Sequence, residues 1–315
     1  MSLPMRTLFG LVSPRGARAR LSTLIFHRVL PAPDAIFPEE MDAARFDAVC
    51  GWLARDFNVL PLDEAVVRLR EGRLPARACC ITFDDGYADN LHVAVPILQR
   101  HGLSATFFVA TGFLDGGRMW NDTVIETLRA CAPTGLDLRE LGLGRHDTAD
   151  AGARRCAIDA VIGAIKYLAP DERLARTRAI AAAAGVVPPD DLMLTTRELR
   201  RLRGAGMLIG AHTVDHPILA TLPAAQARVE IDAGRRTLED ALGERVGLFA
   251  YPNGKPHTDY LPEHVAMVRE LGFDAAVSTA WGVSTAATDP YQLRRFTPWD
   301  RTRLRFEARL LRNML

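Results

Sequence analysis

The sequence has no apolar run approaching the length of a membrane-spanning helix, so no transmembrane segment is expected. Secretory signals are equally scarce. The apolar run at residues 8–12, behind Arg6, is too brief for a signal-peptide core, and no small-residue cleavage site follows it. A cytoplasmic location is the resulting expectation. Net charge is only +1, and no basic stripe interleaved with aromatics occurs, which argues against a nucleic-acid partner. The five cysteines (Cys50, Cys79, Cys80, Cys131, Cys156) lack CxxC spacing and include an adjacent pair inside an apolar run. They read as reduced, buried thiols rather than a disulfide framework or a thiolate metal centre. Repeats and low-complexity linkers are also missing, so a single domain over residues 1–315 is the economical reading.

What is present is ordinary globular composition, 48% hydrophobic and 24% charged, organised around one stretch. Residues 79–83 (Cys-Cys-Ile-Thr-Phe) form an apolar, β-branched run that predicts a buried strand. It ends in Asp84, Asp85 and Gly86. Two adjacent carboxylates at a buried strand end need a cation or a proton to compensate them. The plain alternative is a solvated Asp-Asp-Gly turn. Downstream, Gly210-Ala211-His212-Thr213-Val214-Asp215-His216-Pro217 follows a second short apolar strand. Its two imidazoles can converge on one ion if the backbone between them turns helically. With Asp85 they supply two nitrogens and one oxygen and leave a position open for water, the ligand arithmetic of a catalytic zinc site. Such a donor set suits Zn2+, and also accepts Co2+, Ni2+ or Fe2+.

Strand candidates end near residues 29, 62, 84, 111, 212, 251 and 279, with helical patterns between them. This alternation predicts parallel strands in an α/β fold, and seven strands suit an incomplete barrel. His27, Asp84, Asp85, His212, His216 and residues 251–254 all fall at strand C-terminal ends, where barrel enzymes carry their chemistry. Alternation lapses over about residues 116–203, read as a helical insertion lying over the barrel mouth. The insertion opens with Met119-Trp120-Asn121-Asp122. Trp120 can line a sugar site, whereas Asn121 or Asp122 reads as the N-cap of a helix starting at Thr123. Asp63 is likewise expected to cap a helix over residues 62–70.

Thr82-Phe83-Asp84-Asp85-Gly86 and His212-Thr213-Val214-Asp215-His216 resemble the first two motifs of the polysaccharide deacetylase family, the NodB-homology or carbohydrate esterase 4 group. Phe249-Ala250-Tyr251-Pro252-Asn253-Gly254 resembles its third motif as a subset of members writes it. The resemblance spans roughly residues 21–300. It implies a deformed (β/α)7 barrel and a metal-dependent N-deacetylase acting on polysaccharides or oligosaccharides, in bacterial exopolysaccharide or cell-surface glycan metabolism. By the same resemblance, Asp84 is the general base and Asp85, His212 and His216 hold the metal. The N–H of Asn253, after Pro252, meets the oxyanion in a substrate-binding segment that includes Tyr251. Thr213 fixes the histidine loop. Residues 26–29 (Phe-His-Arg-Val) resemble a YHRV-like strand whose histidine is the general acid, a role that falls on His27. Ala250 stands where many relatives have an arginine that orients the catalytic aspartate, and Arg295 is the candidate replacement.

Tyr87 and Trp281 can supply apolar walls for a sugar ring, although both suit a core equally well. The stretch 301–315 predicts a basic amphipathic helix that docks its Leu/Phe face on the domain, with peripheral membrane contact as the alternative. Two other functions remain compatible with these residues: hydrolysis of a different amide or imide C–N bond, and catalytically silent carbohydrate binding.

Overall fold

The computed structural model describes residues 3–315. They divide into two compact units. The larger comprises residues up to 32 together with 41–114 and 194–315; the smaller comprises 33–40 and 115–193.

The larger unit is built on eight strands: β1 Ser22–Phe26, β2 Asn58–Val59, β3 Ala78–Phe83, β4 Thr106–Val109, β5 Leu208–Ala211, β6 Leu248–Ala250, β7 Ala275–Trp281 and β8 Leu293–Arg295. Seven run in the order β1-β3-β4-β5-β6-β7-β8, all parallel, while β2 pairs only with the start of β3. The path returns on itself beside β1. Phe296, just past β8, accepts from Ile25 N–H at 3.0 Å and donates to the Thr23 carbonyl at 2.8 Å. This is the (β/α)7 barrel, with one substitution in the expected strand list. Residues 58–59 form a spur instead of a barrel strand, and β8 takes the seventh place.

Period-2 alternation sorts each strand into two faces. Ala78, Cys80, Phe108, Leu248, Ala250, Ala275, Val277 and Leu293 belong to one cluster. Residues from so many strands can meet only on the concave side. Cys79, Ile81, Phe83, Phe107, Val109 and Phe249 face the other way and pack with the surrounding helices. There the rings of Phe26, Phe83 and Phe107 stack in series, at 5.3 and 4.6 Å. Cys50, Cys79, Cys80 and Cys131 are buried free thiols as expected, whereas Cys156 is exposed.

The C-terminal helix Arg303–Met314 buries Phe306, Leu310 and Met314 in this core, so its apolar face is docked. Each such side chain contributes about 1.5–3 kcal/mol. The helix Leu62–Arg70 has Pro61 at its N-cap with no side-chain bond, and Asp63 lies in its first turn, not at the cap. No described helix is long and apolar enough to cross a membrane.

The smaller unit holds the helices Trp120–Ala130, Ala151–Ile165 and Pro170–Ala184 and an antiparallel pair, Leu136–Asp137 with Arg145–His146. Its core gathers Val124, Leu128, Ile158, Val161, Ile165 and Ile180, joined by Ile36 from the loop after β1. Residues 194–203, expected in the insertion, belong to the barrel unit, because Leu199 and Leu202 of helix Thr196–Gly204 pack in its core. Met119, not Asn121 or Asp122, occupies the N-cap of Trp120–Ala130. Extended backbone at Met119 lets the helix begin before either side chain could cap it.

Candidate functional site

Ala78, Cys80 and Thr82 occupy alternate positions of β3, so Asp84 continues their alternation onto the concave face just beyond the strand end. It is 3% exposed. Arg295, at the end of β8, is buried beside it. Its terminal nitrogens donate to the two Asp84 oxygens at 2.7 Å each, and its Nε donates to the Ser278 carbonyl at 2.9 Å. A two-pronged, charge-assisted pair of this kind orients a carboxylate as well as neutralising it. Burial pushes Asp84 up, but the Arg295 guanidinium, followed by His212, holds its carboxyl below the usual range. Arg295, the candidate for the orienting cation, is thus in direct contact with Asp84.

Asp85 breaks the alternation. Its φ of 77° is left-handed, as is that of Gly86 at 93°, and the turn sends its carboxylate toward the histidine loop, where Asp84 Oδ2 also lies 3.9 Å from His212 Nε2. The Asp85 Oδ1 atom lies 3.5 Å from His212 Nε2 and 3.5 Å from His216 Nε2. It is buried and, among the described residues, has no hydrogen-bond partner. His212 is 1% exposed, and its Nδ1 lies 2.8 Å from the Ala250 carbonyl. That acceptor takes the Nδ1 proton and leaves Nε2 as the inward-facing nitrogen. Burial raises Asp85, yet the two imidazoles hold it far below the ordinary carboxylate range. Burial lowers His212, yet the facing Asp84 and Asp85 carboxylates leave it above its ordinary value. His216 is brought down to about 4, chiefly by burial, which favours the neutral form that metal ligation requires.

The histidines do not converge through a helical turn. Thr213 and His216 both adopt left-handed φ, 67° and 51°, and these two reversals bring the rings to 4.7 Å. Thr213 fixes the loop: its Oγ1 donates to the His212 carbonyl at 2.5 Å and accepts from His216 N–H at 3.1 Å. Two further supports carried no sequence signal. Glu230, on helix Ala224–Leu242, accepts the N–H groups of Val214 and Asp215, each at 3.0 Å. On the same helix, a Cβ at Gly234 would come within 2.7 Å of the Thr213 carbonyl, so only glycine allows the helix this close to the loop.

His27 follows β1 and is exposed. A positive charge on its imidazole would favour the ionised forms of both Asp84 and Asp85. The segment around it is clamped from the β3 side. Asn90 Nδ2 donates to the His27 carbonyl at 2.9 Å; Asp89 accepts Val29 N–H at 3.1 Å and Arg28 Nε at 2.8 Å. Asn90 opens a π-helical turn, Asn90–Ala94, a feature that often marks functional sites. The loop bearing Asp84 and Asp85 thus also fixes His27. If His27 acts in turnover, Asn90→Ala is expected to lower kcat about tenfold with metal content unchanged, as steady-state kinetics and metal analysis would read. Unchanged kcat would remove Asn90 from any positioning role.

In the third motif, Asn253 is exposed with φ 57°, and its N–H has no acceptor among the described residues. Its carbonyl accepts from Thr279 Oγ1 at 2.8 Å, which ties the loop to β7. Pro252 is buried. The Tyr251 side chain belongs to the core and not to a substrate surface. Its ring stacks on Tyr260 at 3.8 Å, its hydroxyl donates to the Tyr291 carbonyl at 3.1 Å, and burial pushes the phenol far above its ordinary range. Tyr87 is also buried, with the Arg28 guanidinium 4.6 Å above its ring. Trp120 lies in the smaller unit, where Arg173 covers its ring at 4.7 Å. Trp281 is 49% exposed, with Arg312 at 6.0 Å.

Asp85, His212 and His216 form a trio of donors within 4.8 Å of one another that could hold a metal ion. The fit is chemical as well as geometric, because the unpartnered Asp85 oxygen faces two Nε2 atoms.

The polysaccharide deacetylase profile matches residues 71–149 and 172–276. The chain belongs to the polysaccharide deacetylase family. This chain is a carbohydrate deacetylase, a hydrolase acting on carbon–nitrogen bonds. The match spans Asp84, Asp85, both histidines and the third motif, but leaves out His27, just past the first strand, and Arg295, on the last. YxkH of Bacillus subtilis, named as a polysaccharide deacetylase, is 20% identical over 279 residues, 88% of this chain and 71% of its own length. Among solved structures, the deacetylase PplD of Streptococcus pyogenes, in complex with acetate, superposes with a TM-score of 0.62 at 19% identity, covering 94% of this chain and 99% of its own. IcaB from Ammonifex degensii gives a TM-score of 0.59 at 17% identity, with 96% and 98% covered. These likenesses support the deacetylase barrel.

Proposed function

We propose that this deacetylase is a metal-dependent N-deacetylase that removes acetyl groups from amino sugars of a polysaccharide or oligosaccharide, giving acetate and free amines. An exopolysaccharide or cell-surface glycan is the substrate this reading favours. One observation carries it: an unpartnered carboxylate oxygen of Asp85 held between two imidazole nitrogens, with an ionised carboxylate, Asp84, beside it and bound to a different cation.

Asp85, His212 and His216 are the residues that would hold the ion, Zn2+ by ligand type or else Co2+, Ni2+ or Fe2+. When bound, it supplies Lewis acidity toward water and the acetamide carbonyl. Asp84 takes the proton of the attacking water as general base; Arg295 keeps it ionised and fixes its direction. The N–H of Asn253 donates to the oxyanion of the tetrahedral intermediate. His27, exposed at the mouth of β1, protonates the leaving nitrogen as the C–N bond breaks. Arg295 supplies the cation that Ala250 lacks, which supports an enzymatic reading over catalytically silent sugar binding.

The test is acetate release from a panel of N-acetylated oligosaccharides, before and after chelation and after return of a single metal. Release that chelation abolishes and one metal restores is the expected result. Full activity in metal-free protein would sink the proposal.

A further inference from the structure

The exposed apolar side chains of the barrel unit are not scattered. Val67 and Val229 apart, the large ones are Leu8 and Leu11 of helix Leu3–Val12, Trp281, Trp299, and Leu304 and Leu315 at the C-terminal helix. These two terminal helices pack against each other, with Phe9 of one and Phe306, Leu310 and Met314 of the other sharing one core. Trp281 is tied to the second helix by Arg312, and Trp299 leads into it.

The exposed charge along the C-terminal stretch has one sign. Over residues 294–315 the exposed charged side chains are Arg294, Arg301, Arg305 and Arg312. Both acids of the stretch are engaged: Glu307 is buried and bound by Arg303 at 2.5 Å, and Asp300 pairs with Arg309 at 3.3 Å. A merely solvated helix face mixes both signs and keeps large apolar groups inward. Here the outward positions of the helix, Leu304, Arg305, Ala308, Arg312 and Leu315, combine leucine and arginine beside tryptophan. Tryptophan favours the headgroup layer, leucine the acyl boundary, and arginine binds phosphate through paired N–H groups. Two copies of this face would bring arginine against arginine, so self-association is disfavoured.

We propose that the paired terminal helices dock the protein on the surface of an anionic phospholipid bilayer. The docking is peripheral and electrostatic, and it does not depend on how the active site is read.

The test is co-sedimentation of the full chain with vesicles of phosphatidylcholine alone or mixed with phosphatidylglycerol. Binding to the mixed vesicles only, weakening as salt screens the arginines, is expected. Each of Arg305→Gln and Arg312→Gln should weaken it about fivefold, and Leu304→Ser should weaken it further. Circular dichroism of each variant, unchanged from wild type, serves as the folding control. The proposal is overturned if anionic vesicles are not bound at low salt, if both vesicle types bind equally, or if well-folded variants bind like wild type. It is also overturned if the patch instead mediates dimers that the same variants dissociate.

Discussion

The Asp84→Asn protein should retain its metal and its fold yet release acetate about a thousandfold more slowly than wild type, within the range lost when a general base is removed. The substitution keeps the side-chain shape and removes the proton acceptor. Asp84 is not one of the three clustered donors, Asp85, His212 and His216, although its Oδ2 lies 3.9 Å from His212 Nε2, so the substitution leaves all three donor side chains in place. One secondary effect is built in. An amide at position 84 presents an NH2 group to one nitrogen of Arg295, where the carboxylate presents two acceptors. Leaving that buried donor unpaired costs about 1–3 kcal/mol, so the variant should unfold at lower urea without unfolding in buffer. Turnover, metal content and a urea titration measured on one preparation check all three statements. A rate within tenfold of wild type would assign the base elsewhere.

Arg295→Ala has the largest expected effect on stability, a loss of about 3–5 kcal/mol. Asp84 is buried, and its two oxygens both rest on this guanidinium. Removing the cation strands a charge that burial opposes. The same side chain holds the Ser278 carbonyl, so β7 and β8 lose a tie as well. Arg295→Lys should recover little, because an ammonium cannot reproduce two parallel bonds and a third from the same plane. Equilibrium unfolding measures the loss, and a variant within 1 kcal/mol of wild type would show that Asp84 has another partner.

Much of this architecture is visible in the sequence for identifiable physical reasons. A run such as residues 78–83 is apolar on both faces because both are buried, and its terminal carboxylates stand out against it. The histidine pair is equally conspicuous. β8 is not: three residues, two of them arginine, carry no strand pattern, and the pairing with β7 alone makes them one. Residues 58–59 look as strand-like as any yet form a spur, since order in a sheet is a property of partners. Asp89, Asn90 and Glu230 escape notice because polar residues at helix starts and on helix faces are ordinary. Only their tertiary neighbours give them a task. Tyr251 misleads for the opposite reason: its motif position points to substrate, while strand alternation turns its ring into the core.

The barrel closes between its first and last strands, and this governs when the site comes into being during synthesis. Asp84 is translated 211 residues before Arg295. At about 5–20 residues per second the interval is on the order of 10–40 s. By its end the nascent chain carries both carboxylates and both histidines, but still lacks the guanidinium on which both Asp84 oxygens rest. The ribosome-bound intermediate is therefore a barrel with an open seam. Completing the last strand seals the sheet and brings Arg295 to Asp84 in the same event, so under the proposed mechanism a shorter translation product lacks the cation that orients its base.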